Sequence, residues 1–167
     1  VEDAVAGVLR QWHQAYPDLD PEPIAVLGRI NRIAALLQQG RTGPLPHEGL
    51  TRSEFDILGA LRRTDRELTP SQLARETFAS GAAVTKRLRQ LEERGLVARR
   101  ADDRDRRVSH LSLTTAGREL VDRVYPDLLA YDRTLLSGLT SSEREDLSRD
   151  LGRLLLVLEG SSGRTQL

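Results

Sequence analysis

The chain has neither cysteine nor methionine among its 167 residues. Without thiols it can form no disulfide, hold no thiolate metal site and sense nothing by cysteine oxidation, so a small molecule that acts on it acts non-covalently. It also lacks any apolar run near the roughly 20 residues that a membrane span needs, and so reads as a soluble protein with no membrane partner. The first ten residues carry Glu2 and Asp3 and no basic start ahead of an apolar block, which is unlike a secretory leader and points to a cytoplasmic address. The absence of methionine, with Val1 first, suggests a trimmed or alternatively started chain. Catalytic signatures are missing too: His13, His47 and His110 have no metal-ligand spacing, and neither a glycine-rich phosphate loop nor a nucleophile elbow occurs. No enzyme, metal or cofactor is expected.

Net charge is the last thing lacking, with 25 basic residues against 25 acidic. The average hides an uneven distribution. Residues 80 to 110 carry nine basic and five acidic side chains, an excess of four positive charges that the flanking segments cancel. One short region able to meet phosphate, in a chain otherwise neutral or acidic, is the expected footprint of a nucleic-acid binder. The length suits one domain, or a small DNA-binding domain with helical additions.

Apolar spacing of three and four predicts a first helix with Val5, Val8, Leu9, Trp12 and Tyr16, stopped by the turn from Pro17 to Pro21. A second helix is predicted from Glu22 to Gln39, with Val26, Ile30, Ile33 and Leu37 on one side, and then a loop from Gly40 to Gly49. Thr51 and Glu54 have the spacing of a capping box for a third helix, with Phe55, Leu58 and Leu61 on its apolar face.

Between Leu68 and Leu91 the pattern reads as helix-turn-helix. Thr69 and Pro70 open a short helix, Ala79-Ser80-Gly81 breaks it, and a second helix turns Val84, Leu88 and Leu91 inward. At 100° per residue its opposite side presents Ala82, Lys86 and Arg89, with Thr85 beside them and Ser80 at its start. Small residues let a helix approach base edges, while Arg and Lys donate to guanine and phosphate, so this face suits the major groove of duplex DNA. Arg87 lies about 60° from Val84, beside the buried stripe, where it can pair with a carboxylate or hold an anion. After Gly95, strands at Leu96 to Arg100 and Arg107 to Leu113 predict a β-hairpin wing with Arg104 and Arg106 at its tip. Asp103 and Asp105 would repel phosphate, and so are expected to turn inward and hold the arginines or the turn backbone.

Val121, Val124, Leu128, Tyr131 and Leu135 then predict a long helix that Pro126 kinks or locally breaks, and Thr140 caps a last helix with Leu147, Leu151, Leu154 and Leu158. A winged helix needs neither, so their stripes and that of the first helix are expected to bury against a second copy of the chain. The fold class is mainly α with a small β-hairpin wing, a winged helix-turn-helix flanked by dimerisation helices. Residues 1–50 hold the N-terminal dimerisation helices, 51–113 the DNA-binding domain, 114–159 the C-terminal dimerisation helices and 160–167 a flexible tail. A winged helix used for protein contacts alone is the competing reading, and it differs in leaving Lys86, Arg89, Arg104 and Arg106 dispensable.

The order of elements, the run Leu91-Glu92-Glu93-Arg94-Gly95-Leu96-Val97, the wing Asp103-Arg104-Asp105-Arg106-Arg107 and the following Leu113-Thr114-Thr115-Ala116-Gly117 resemble the MarR family over about residues 22 to 158. The resemblance implies a homodimer whose recognition helices enter successive major grooves of a palindromic operator, with half-sites about 10 bp apart. It also implies a repressor that a ligand relieves. The extra first helix with Trp12 is similar to the branch responsive to urate and carboxylates. That narrower resemblance implies a pocket for a small anion formed by Trp12, Asp56, Arg87 and Arg99, with Glu54 as an alternative to Asp56 and Arg100 to Arg99.

Overall fold

The computed structural model describes residues 2–40 and 42–162. In chain order these form α1 (Ala4–Ala15), α2 (Glu22–Gln39), a 3-10 turn (Leu45–Glu48), α3 (Arg52–Thr64), α4 (Pro70–Glu76), α5 (Gly81–Glu93), β1 (Val97–Ala101), β2 (Ser109–Leu113), α6 (Thr115–Leu135) and α7 (Ser141–Ser162). This is the expected class, mainly helical with one antiparallel hairpin. No helix among the described residues is long and apolar enough to cross a membrane. The chain divides into two compact units, Val1–Tyr125 and Pro126–Leu167.

Local chemistry explains most helix starts. The Asp3 carboxylate accepts from the amides of Val5 and Ala6, and it also pairs with Arg29 of α2 at 2.8 Å. Complete capping boxes open α3, through Thr51 and Glu54, and α4, through Thr69 and Gln72 with Pro70 at the first position. The segment expected as plain loop from Gly40 to Gly49 contains the 3-10 turn instead. Pro44 and Pro46 preset φ for the turn, and Gly49 closes it in the left-handed region at φ 61°. Its Leu45 is buried, and the Arg94 guanidinium donates to the carbonyls of Glu48 and Gly49 at 2.8 and 2.9 Å, tying the turn to the end of α5.

The core lies under the helix-turn-helix. Leu58, Leu68, Leu73, Val84, Leu88, Leu91 and Leu111 are fully buried, each contributing about 1.5–3 kcal/mol by leaving water. The first half of α6 joins this unit through buried Leu120, Val121 and Val124 and a Phe55–Tyr125 ring stack. Three ion pairs add to it, Arg62–Asp122, Arg118–Asp65 and Arg123–Glu48. Pro126 lies inside α6 without interrupting it. α7 runs to Ser162, so Gly160 belongs to a helix, and residues 163–167 of the expected tail lie outside the described residues.

Large apolar side chains stay exposed on particular faces of the single chain. α1 exposes Val8 and Trp12 with Tyr16 at its C-terminal cap, α2 exposes Val26, Leu27, Ile33, Leu36 and Leu37, and α7 exposes Leu147, Leu151, Leu155 and Leu158. α2 has no buried residue at all.

Candidate nucleic-acid interface

Ser80 caps α5, its hydroxyl accepting from the Ala83 amide at 3.3 Å, and buried Val84, Leu88 and Leu91 set which side of the helix faces inward. Ala82, Thr85, Lys86 and Arg89 are therefore exposed, where the spacing placed them. The Thr85 hydroxyl donates to the Gly81 carbonyl at 2.9 Å. Arg89 pairs with Glu93 one turn on, at 2.9 Å and well exposed. A surface pair of this kind contributes about 0.3–0.5 kcal/mol, so Arg89 can exchange it for a guanine or a phosphate.

The wing pairs Val97 with Leu113 through Ala101 with Ser109. Its second strand starts at Ser109 rather than Arg107, so the connection is longer than expected. The cause is Asp102, the residue after β1. Its carboxylate accepts from the amides of Arg104 and Asp105, both at 2.9 Å, and from the His110 ring at 2.8 Å. Asp105 in turn accepts from the Arg107 amide at 3.0 Å. Asp105 holds the turn backbone as expected, and the expectation for Asp103 is corrected: the other acid that organises the backbone is Asp102, because a carboxylate at the start of a turn reaches the amides two and three residues on. Asp103 is 95% exposed, 3.6 Å from Arg100. Neither acid holds the wing-tip arginines. Arg104, Arg106 and Arg107 are exposed and make no ion pair among the described residues.

Asp102 is held down at a pKa of about 2 by His110 first, then by the Asp105 and Arg104 amides. Because the folded value is depressed, the anchorage is present above the ordinary 3.8 and lost as the pH falls through about 2. Asp102→Ala is expected to speed amide exchange at Arg104 and Asp105 and to weaken DNA binding about three- to tenfold by leaving the tip to be ordered on binding. The melting midpoint should stay near the parent's. Unchanged exchange at those two amides would remove Asp102 as the organiser.

At the wing base, Leu68 and Leu111 exchange backbone hydrogen bonds of 3.0 and 2.9 Å. Arg100 pairs with Glu67 at 2.7 Å. Arg99 donates to Glu92 of α5 at 2.7 Å and to the Ser109 hydroxyl at 2.8 Å. The two arginines thus tie the hairpin to its neighbours.

Asp56 and Arg87, two of the four residues implied for an anion pocket, lie within electrostatic reach of each other. Burial pushes the Asp56 carboxyl up from its ordinary value, while Arg52, Arg63 and Arg87 pull it down. Its ion pair is with Arg52, at 3.6 Å. Arg87 is half-buried, as its angle from Val84 requires, and makes no ion pair within 4 Å among the described residues. Trp12 is 47% exposed and stacks on Tyr16 at 5.7 Å; no ring contact or side-chain hydrogen bond joins it to Asp56, Arg87 or Arg99 among the described residues. Glu54, the alternative acid, is engaged in the α3 capping box.

Arg75 and Arg107 are two further exposed cations that the sequence pattern does not single out. Arg75, in the last turn of α4, is exposed without an ion pair among the described residues. The signal available was its place on the helix before the recognition helix, which in such motifs crosses the phosphate backbone.

Comparison with known proteins agrees with this geometry. Residues 48–108 match the sequence model of the MarR family. The chain is similar to the HTH-type transcriptional regulator PecS of Dickeya dadantii (strain 3937), 32% identical over 152 residues, which span 90% of this chain and 92% of PecS. It is also similar to the solved S. aureus MepR–DNA complex, with a TM-score of 0.70 and 27% identity over 79% of this chain and 97% of MepR. A third likeness is to Bordetella bronchiseptica BpsR, from a structure on regulation of its DNA binding by 6-hydroxynicotinic acid. There the TM-score is 0.65 and the identity 28%, over 78% of this chain and 90% of that one.

Proposed function

Because this chain belongs to the MarR family, we propose that it acts as a homodimeric repressor on a palindromic operator and is released by a small anion such as urate or a carboxylate. It is a DNA-binding transcription regulator, not an enzyme. The observation that carries the interface is the state of its basic residues. Arg62, Arg63, Arg99, Arg100, Arg118 and Arg123 each pair with a carboxylate. Lys86 on the recognition helix and Arg104 and Arg106 on the wing make no such pair among the described residues, so their charge is available to DNA phosphate. Ser80, Ala82, Thr85 and Arg89 complete the reading face.

Dimerisation is supported by the apolar faces that one chain leaves in water on α1, α2 and α7, since a second copy is the most economical cover for them. Two recognition helices then meet half-sites about 10 bp apart.

Release by an anion is supported by Asp56, a half-buried carboxylate in the field of three arginines. An anion that takes its place beside Arg87 pulls on the recognition helix and changes the half-site spacing. Trp12 and Arg99 enter the proposed pocket through the family resemblance alone, and BpsR, a similar protein, has its DNA binding regulated by 6-hydroxynicotinic acid, a small carboxylic acid. The test is a gel shift on the DNA upstream of the chain's own gene, at fixed salt, titrated with urate, citrate and 6-hydroxynicotinate. One anion should release the complex, and Arg87→Gln should raise the concentration it needs about 10- to 100-fold, the worth of a charged hydrogen bond. Equal release of parent and variant, or no release by any of these anions, sinks the ligand reading and leaves DNA binding intact.

A further inference from the structure

Phe78 sits in the turn between α4 and α5 and is 90% exposed. Among the described residues it is the one exposed large hydrophobic side chain between Leu37 and Tyr125, so the winged helix covers every other one it has. Its backbone is equally unusual. At φ 52° it lies in the left-handed region, which a bulky residue rarely adopts.

The turn explains the conformation but not the side chain. The Ala79 amide donates to the Ala74 carbonyl at 3.0 Å and the Phe78 amide to the Arg75 carbonyl at 3.3 Å, the two bonds of a Schellman close at the end of α4. That motif favours glycine where Phe78 stands, and its apolar contact falls on the residues at Ala79 and Ala74. A glycine would do the same backbone work without strain and without an aromatic ring in water. The ring therefore has a role outside the folded chain.

Its position says which. Phe78 is two residues before Ser80, the cap of the recognition helix, and follows Arg75 on α4. The N-terminal end of that helix is the part that reaches base edges in the major groove, where the apolar feature on offer is the 5-methyl group of thymine. We infer that Phe78 packs against a thymine methyl at the leading edge of each half-site and is a specificity-determining residue. The inference rests on the proposed reading that the Ala82, Lys86 and Arg89 face enters the groove.

The experiment uses the full chain and a duplex that the parent protein selects from a randomised pool, with each thymine replaced singly by deoxyuridine. One position per half-site should lose about fourfold in affinity with the parent, the value of one methyl-sized group, and nothing with Phe78→Gly. The variant's melting midpoint at equal protomer concentration should be unchanged or higher, because glycine relieves the strain. If Phe78→Gly binds as well as the parent, or is weaker on every duplex with no position coupled to a methyl, the inference is overturned. Lys86→Ala separates the two readings. Loss of binding with Lys86→Ala but not with Phe78→Gly refutes only the role of Phe78, whereas no loss with either refutes the interface as well.

Discussion

Gly117→Ala is expected to lower the melting midpoint by roughly 4–8 °C and to weaken operator binding with it. Gly117 is in the first turn of α6, and a Cβ built there meets the Leu96 carbonyl oxygen at 2.1 Å and its carbon at 3.0 Å. Both are backbone atoms at the start of the wing, so no flexible side chain can move aside. The first turn of α6 would have to lift by about an ångström. That lift breaks the bonds which seat it: the Thr114 amide on the Leu96 carbonyl at 3.2 Å, and the Thr114 hydroxyl, which donates to the Gly95 carbonyl at 2.7 Å and accepts from the Gly117 amide at 3.0 Å.

Alanine is the better helix former by about 1 kcal/mol, yet forcing an atom into a closed contact costs about 3 kcal/mol when the backbone must shift, so the clash wins. For a chain of this size each kcal/mol moves the midpoint by roughly 2–4 °C. Buried Leu120, Val121 and Val124 follow on the same helix, so the disturbance reaches the core and the base of the wing together. Thermal unfolding at fixed protomer concentration, with amide exchange at Thr114 and Gly117, measures it. An alanine variant as stable as the parent would mean that α6 approaches β1 less closely than 2.1 Å implies.

The second large effect is on DNA. Arg106→Ala is expected to reduce affinity for every duplex, specific or not, by roughly 50- to 100-fold at 0.1 M salt, and to reduce the salt slope by about 1.8. Each phosphate contact contributes about 0.9 to that slope, which near 0.1 M is close to tenfold in affinity, and a dimer loses two. The expected effect is this large because Arg106 makes no internal ion pair among the described residues, which leaves its full charge available to phosphate.

Arg89→Ala gives the contrasting pattern. Its exposed pair with Glu93 is weak, and its place on the outer face of α5 suits a guanine edge, where a bidentate contact discriminates by about 1–3 kcal/mol. It should therefore lose preference among sequences more than it loses affinity for a scrambled duplex. Fluorescence anisotropy with operator and scrambled duplexes across a salt series separates the two. If Arg106→Ala leaves the slope unchanged, the wing tip does not lie on phosphate.

What the sequence by itself determined is what depends on near neighbours along the chain. Thr51 with Glu54, and Thr69 with Pro70, announce helix starts because capping bonds close within three residues. The inward set Val84, Leu88 and Leu91 follows from helical period alone, and with it the outward set Ala82, Lys86 and Arg89. The motif ending in Gly117 was legible as a pattern, but not the reason for its glycine, since the Leu96 carbonyl that excludes a side chain lies 21 residues earlier.

Tertiary structure decided which charges are used internally and which are left for a partner. Composition could not distinguish Arg99 and Arg100, held by Glu92 and Glu67, from Arg104 and Arg106, because those carboxylates come from α5 and from the turn before α4. It likewise gave the wing turn to Asp102 rather than Asp103, through His110 on the opposite strand. Phe78 was unremarkable as one apolar letter until the fold turned it outward at a positive φ. Periodicity and capping are written in residues three or four apart. Ion pairing, close backbone approach and exposure depend on which distant segments the folded chain brings together.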